Sequence, residues 1–555
     1  MLTLRNRRLS RRDALKGATA GLIGLAGCSG TSQDGERTSS SSEQTERETT
    51  FRVGTPWNPD SLDPLVKGWM FRKLNVIEPL VIADYNASVK PGLASGWTTS
   101  DDNLTWKFTL REGVSFHDGT PLTVDAVVAS LRRSFESGSL ASLPVESVSG
   151  GGERVVEIGT STPFAPLSAH LTRAPTSIIA ESSYDDDGNV TAPVGTGPFQ
   201  FDSWKPGERI TAVSNPSYRG RTPAIDTLVY ESVPDDQTRL LKLENAELEM
   251  ARAFSGSAIS ALNDRPNVEP VTYAVPRSRY LVYDTTSSPF DDRNVRRAVM
   301  HAIDQEQIVE SVLNGLGPAA VGPFPPEVTD WANTDLEPYP YDPQTARQLL
   351  TDAGWVPGGD AREKDGEPLE IDLWTYDARA LPIVSEAVQA QLSQIGFDVS
   401  LRVMDYGTIE ERANSEAFDL VMWSNSLLWY PDPDRLTDFV HSEDATMFSG
   451  YANDRVDELL AEAREITDTA ERKRRYDEVQ SIVQRDVPIG WLTNVTNVVG
   501  VDTGVTGYKP LPTETCYHLE NIEFGADGNA RATDTANARH RSPDIPLQNG
   551  PRSGK

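Results

Sequence analysis

Cysteine is nearly absent, with two in 555 residues, Cys28 and Cys516. Histidine is scarce too. Of six, only His518 lies close to a cysteine, and one Cys-x-His with no second pair is a weak metal signal. The chain has no apolar run near the ~20 residues that a membrane-spanning helix needs. Catalytic signatures are missing as well: no G-x-S-x-G elbow, no phosphate-cradling G-x-x-x-x-G-K-[ST], no H-E-x-x-H. "GTGPFQ" (Gly195 to Gln200) lacks the third glycine of a dinucleotide loop. Enzyme chemistry therefore has no positive support. Lysine is sparse beside arginine, and acids outnumber bases to give a formal charge of -30. Such a charge argues against nucleic acid and anionic bilayers as partners.

The first 27 residues have their own logic. Arg5, Arg7, Arg8, Arg11, Arg12 and Lys16 precede a short apolar stretch from Ala18 to Ala26, the pattern of a secretory signal. "SRRDALK" resembles a twin-arginine export signal built on Arg11 and Arg12, with Ala14 where phenylalanine is usual. "LAGC" resembles the lipoprotein cleavage box, which makes Cys28 the lipidated mature N-terminus. Residues 28–50 and 526–555 are polar and expected to be a flexible tether and tail. With Cys28 committed to lipid, Cys516 has no partner for an internal disulfide. Loss of the leader removes a net +5 and leaves about -35. A cationic ligand would explain that acidity. A surface adapted to high salt explains it better, since ions screen self-repulsion within a few Å, and a haloarchaeal source is expected.

The remaining ~475 residues suffice for two or three domains. "LEIDLWTY" (Leu369 to Tyr376) alternates as a strand. "PIVSEAVQAQLSQIG" places Val384, Val388, Gln391, Leu392 and Ile395 on one helical face between Pro382 and Gly396. "FDVSLRV" alternates again. Strand, helix and strand with short links predict a βαβ unit with parallel pairing. Asp342 caps a helix that ends at Gly354. "DDRNVRRAVMHAIDQEQIVESVLNG" keeps Val295, Ala298, Val299, Ala302, Ile303 and Val309 on one face and reads as one helix. "TWKFTL" (Thr105 to Leu110) is a strand leading into the "HDGTPL" turn.

Several stretches resemble one family, the extracytoplasmic solute-binding proteins of peptide and nickel ABC importers (family 5). They are "LASGWTTSDDNLTWKFTLREGVSFHDGTPLTVDAVVASLRRS" (Leu93 to Ser134), "PVGTGPFQFDSWKPGERI", "RNVRRAVMHAIDQEQIVESVLNGLG", "YDPQTARQLLTDAGW" and "FDLVMWSNSLLWYPDPDRL". The likeness is collinear over about 51–525. It implies an α/β, two-lobed, Venus-flytrap fold with a hinge. Lobe I would be 51–85, 193–273 and 488–525, with an inserted domain, 86–192, packed on it. Lobe II would be 274–487. Gly195 and Gly197 would allow a tight turn on re-entry to lobe I.

The resemblance also implies a function: a monomer, lipid-anchored on the outer face of the cell membrane, that hands a small solute to ABC permease subunits. No cofactor and no catalysis are implied. In many peptide binders the stretch before "PDP" carries an aspartate for the peptide's amino group; here "WYPDP" puts Trp429 there. Trp423, Asn425, Trp429 and Tyr430 then suggest an oligopeptide-like or other organic ligand held by stacking and a hydrogen bond. Nickel-chelate binders look at least as close. Arg173 falls near their arginine position, and His441 is a weak metal-ligand candidate. A sensory receptor of the same fold is a further alternative, and an exported hydrolase the weakest.

Overall fold

The computed structural model describes residues 49–525, except 137, 139, 447 and 448. The leader with Arg11 and Arg12, the lipidation candidate Cys28, the tether up to 48 and the tail from 526 lie outside the described residues. Among the described residues, no helix is long and apolar enough to cross a membrane.

A ten-stranded mixed sheet organises the molecule. From one edge its strands run Asp398–Met404, Glu370–Tyr376, Leu420–Ser426, Val268–Tyr283 and Ile489–Asp502. They continue through Met250–Arg252, Thr50–Thr55, Thr227–Ser232, Arg209–Ser214 and Phe199–Lys205. The two long central strands, Val268–Tyr283 and Ile489–Asp502, pair antiparallel and carry the chain from one half of the sheet to the other. Their register breaks between Ala274 and Ser278, a bulge that sets Val275, Pro276 and Arg277 outside this ladder. Proline has no N–H for a ladder, so Pro276 is tolerated only where pairing lapses.

The hydrophobic cores follow this division. One gathers Phe51, Val53, Phe71, Phe199 and Tyr230 with Val499 and Tyr517. A second gathers Tyr280, Val299, Leu373, Val388, Phe439 and Trp491. A third lies over a separate four-stranded sheet, Ala94–Thr99, Thr105–Leu110, Val155–Thr160 and Val145–Gly152, where Trp106, Phe108, Leu131 and Ile158 are buried.

Local elements follow the sequence patterns closely. Glu370–Tyr376 and Asp398–Met404 pair in parallel across the helix Leu381–Ser393, whose Val384, Val388 and Leu392 are fully buried. The Asp342 carboxylate accepts hydrogen bonds from the backbone N–H groups of Gln344 and Thr345, as a helix cap should. One expectation fails. The segment from Arg293 is not a single helix but ends at Ala302. Asp304 then caps a new turn by accepting the Gln307 N–H at 2.9 Å. A carboxylate placed to satisfy fresh N–H donors competes with helix continuation. Gly195 and Gly197 are also needed for a reason other than the turn expected. Neither has a positive φ. A Cβ on Gly195 would lie 2.1 Å from the Val76 carbonyl oxygen, and one on Gly197 1.8 Å from that of Asn75.

Candidate ligand-binding site

Where the long strands cross between the two halves, a cavity of about 450 Å³ opens. It adjoins a second of about 440 Å³, and Trp57 and Arg379 line both. This is the size range of small-molecule sites. Aromatic walls come from Trp57, Trp69 and Trp429. The charged lining is one-sided: Lys67, Arg72, Lys73, Arg173, Arg277 and Arg379 face a single acid, Glu514.

Each cation arrives by a different structural route. Arg277 leaves the bulge beside Pro276, and its guanidinium donates to the Ser424 carbonyl at 3.2 Å. Arg379 has a φ of 56° and Ala380 of 62°, so two successive left-handed residues form the link into the helix at Leu381. Its own carbonyl accepts from Arg279 Nε at 3.0 Å. Lys73 ends a short helix, Met70–Lys73, and its ammonium donates to the Glu514 carbonyl at 2.8 Å. Arg173 follows the turn Leu167–His170 and lies 5.8 Å from the Tyr430 ring centre.

The electrostatics of the cluster are those of like charges brought together out of water. Burial, reinforced by the charges of Arg252, Arg277 and Arg379, pulls Lys73 down to about 8 despite the attraction of Glu514. Burial and then Arg379 lower Arg277 to about 9, and burial lowers Arg173. Burial alone would raise the Glu514 carboxyl. The charges of Lys73, Arg252 and Arg277 reverse that and hold it near 2. Glu514 is in any case committed: Arg252 lies 3.0 Å from its carboxylate, and Tyr273 donates to it at 3.0 Å. None of Lys67, Arg72, Lys73, Arg173, Arg277 and Arg379 has a carboxylate within 4 Å among the described residues. A cation out of water without a counter-ion is costly, and these line one cavity, whereas the buried Arg296 and Arg362 are met by backbone carbonyls.

The residues read from the sequence separate into two groups. Trp429 and Arg173 line the cavity. Trp429 is 48% exposed, with the Arg435 guanidinium 4.3 Å from its ring centre. Trp423 and Tyr430 are buried away from it. Trp423 packs edge-on to Tyr376 at 5.1 Å, and Tyr430 lies 3.9 Å from the His170 ring. Asn425 turns its side-chain oxygen to the Ser426 N–H. His441 Nδ1 accepts from the backbone N–H groups of Glu443 and Asp444, which makes it a turn residue. Arg277, Arg379 and Lys73 had no signal in the sequence beyond the proline that breaks a strand beside Arg277.

The stretch that presents Trp429 is firmly anchored. Asp432 and Arg472, 4% and 5% exposed, form a two-pronged ion pair at 2.7 and 2.8 Å. Asp434 takes Arg464 at 2.6 Å, and His170 Nε2 lies 3.6 Å from its other oxygen, beyond hydrogen-bond reach. The His170 ring, packed on Tyr430 with 3.9 Å between ring centres, brings the segment bearing Arg173 against the loop bearing Trp429.

Comparison with known proteins places this arrangement. Residues 88–447 match the model for bacterial extracellular solute-binding proteins, family 5. The nickel-binding periplasmic protein of Escherichia coli (strain K12) is 30% identical over 383 residues, 66% of this chain and 72% of the relative. The oligopeptide-binding protein AppA of Bacillus subtilis (strain 168) is 27% identical over 469 residues, 80% and 84% of the two chains. Among solved structures, NikA from Brucella suis in complex with Fe(III)-EDTA superposes with a TM-score of 0.77 at 27% identity, covering 85% of this chain and all of that one. The protein therefore belongs to the family 5 extracellular solute-binding proteins.

Proposed function

We propose that this protein captures an anionic organic solute outside the cell and delivers it to an ABC importer, held to the membrane by a lipid on Cys28. The observation that carries the choice of ligand is the set of six cationic side chains lining one cavity, none with a carboxylate partner within 4 Å among the described residues. A solute bearing two or more carboxylates, or a metal chelate of such a molecule, supplies the missing charge. The sole acid in the lining is already engaged, so a free amino group finds no anion there. That counts against a peptide's N-terminus and against a cationic ligand as the cause of the chain's acidity. The similarity to a protein solved with Fe(III)-EDTA points the same way, and family membership favours binding over catalysis.

The discriminating experiment is a thermal-shift screen of polycarboxylates, their Ni(II) and Fe(III) chelates, peptides and neutral sugars. Polycarboxylates or their chelates should raise the Tm. If neutral sugars or cations alone do so, the anionic reading is wrong.

Three further outcomes are expected. Binding of an anion should weaken as pH rises through about 8, because Lys73 loses its charge there. Below that pH the ammonium is present, so affinity is highest on the acid side. Calorimetry from pH 6 to 8.5 should show the fall, and Lys73→Met should flatten it. Trp429→Ala should weaken binding about tenfold, or ~1.4 kcal/mol for loss of one aromatic wall; unchanged affinity would make Trp429 a bystander. Cys28→Ser should move the protein from the membrane to the soluble fraction with its fold intact, and an unchanged membrane fraction would remove the lipid anchor.

A further inference from the structure

Behind the cavity wall formed by Thr513, Glu514 and Thr515 lies a second cluster of chemistry-bearing side chains. Cys516, His518 and Glu520 each present one ligand atom, and the three atoms lie within 4.8 Å of one another. Alternate residues on an extended chain would be ~6.6 Å apart, with the outer two ~13 Å apart. The chain here does otherwise. His518 takes a left-handed φ of 53° and opens the short turn Leu519–Asn521, which folds Glu520 back toward Cys516. A histidine held in that conformation is uncommon.

The donors are set up for a cation. The Cys516 sulfur is buried, 1% exposed, and accepts the His518 backbone N–H at 3.4 Å. His518 Nδ1 meets Glu520 Oε1 at 2.9 Å. The other carboxylate oxygen, Oε2, is out of solvent and has no hydrogen-bond partner. An orphaned carboxylate oxygen beside a thiol and an imidazole costs free energy unless something positive reaches it. We propose that Cys516, His518 and Glu520 bind a thiophilic divalent cation of the zinc, cobalt or nickel type, with a fourth position left to water.

Thiolate, imidazole and carboxylate together are the donor set such ions prefer over magnesium or calcium. Tetrahedral coordination at ~2.0–2.3 Å needs ligand atoms ~3.5 Å apart, so side-chain shifts of about 1 Å suffice. His518 when protonated works against the metal, and so does Arg72. It is turned in part to Asn75, whose side-chain oxygen it meets at 3.3 Å. On metal binding the sulfur and one imidazole nitrogen donate to the ion, and any proton they carry leaves to solvent. None of the three ligands lines the anionic cavity, although Arg72 borders both, and the site does not rest on the anionic reading.

The test uses the full chain, freed of metal and titrated with Co²⁺, then with Zn²⁺. One equivalent of Co²⁺ should survive gel filtration and show the near-ultraviolet absorption of a thiolate–cobalt bond. Zn²⁺ should bleach that band and protect Cys516 from alkylation, as read by peptide mass spectrometry. Cys516→Ser should abolish the band, Glu520→Gln should weaken Co²⁺ binding tenfold or more, and Cys28→Ser should leave both unchanged. If Cys516→Ser fails to fold, Zn²⁺ protection of Cys516 in the unaltered chain decides. Retention well below one equivalent, a band that persists in a folded Cys516→Ser protein, or a band lost with Cys28→Ser would overturn the site.

Discussion

Replacing Arg277 and Arg379 together by methionine is expected to abolish anion capture while leaving the ligand-free protein at least as stable as before. The two effects have one cause. Both guanidinium groups line the cavity without a carboxylate partner, and Arg379 is, after burial, the largest influence lowering Arg277. In the empty protein they repel each other and have lost water, so removing them relieves a cost. In the bound protein each would make a charge-assisted contact of ~1.5–3 kcal/mol. Losing both should therefore weaken binding by about a hundredfold to ten-thousandfold. The Ser424 carbonyl that Arg277 touches also accepts from the Tyr376 hydroxyl at 3.0 Å, so it keeps a donor. Calorimetry and thermal melting on the same samples read both quantities. Binding within threefold of the parent, or a melting temperature that collapses, would show that the arginines serve the fold. Arg277→Lys should fall between, because it keeps the charge and loses the planar fork.

The second large effect concerns stability. Asp432→Ala should cost about 3–5 kcal/mol, because it leaves Arg472 buried with its counter-charge gone. Arg472 also donates from Nε to the Ala463 carbonyl at 2.9 Å, so the guanidinium cannot swing out to water without breaking a further bond. Arg472→Met should be costly for the reciprocal reason. The double variant should lose much less than the sum of the two, since no unpaired charge remains. Urea unfolding of the four proteins measures the coupling. Additive losses would mean that the pair does not act as a unit. Asp432 also accepts the Asp434 N–H at 3.0 Å, and Trp429 sits three residues before it. Ligand affinity should therefore fall with stability in Asp432→Ala, through displacement of the loop.

Much of this protein could be read from local chemistry. Proline at the start and glycine at the stop of a helix, a carboxylate cap at Asp342 and apolar residues at spacings of two or about four each depend on neighbours within one turn or one strand. The βαβ unit at Leu369–Val403 therefore emerged with its parallel pairing and its buried face. The break at Asp304 was harder to see, because the same carboxylate can sit on an exposed helix face or cap a new turn, and the choice depends on what packs beneath.

The site was legible only in part, and the reason is physical. Its lining spans Trp57 to Thr515, so no window of sequence contains it. In a chain with 82 acids and 52 bases, every arginine has candidate partners, and which ones end without one is a property of the folded surface alone. Trp429 and Arg173 came into view through their neighbours in the resemblance. Trp423 and Tyr430 looked equally suited to a ligand and lie buried among other rings outside this cavity, because aromatic rings serve cores and cavities alike. Arg277 and Arg379 owe their positions to a bulge and to two left-handed residues, conformations that alanine and arginine rarely choose and that tertiary contacts impose. The sequence by itself determined the elements and their faces, whose causes are short-range. Tertiary structure alone decided where uncompensated charge would gather, since burial and the distance to a counter-ion do not exist until the chain has closed on itself.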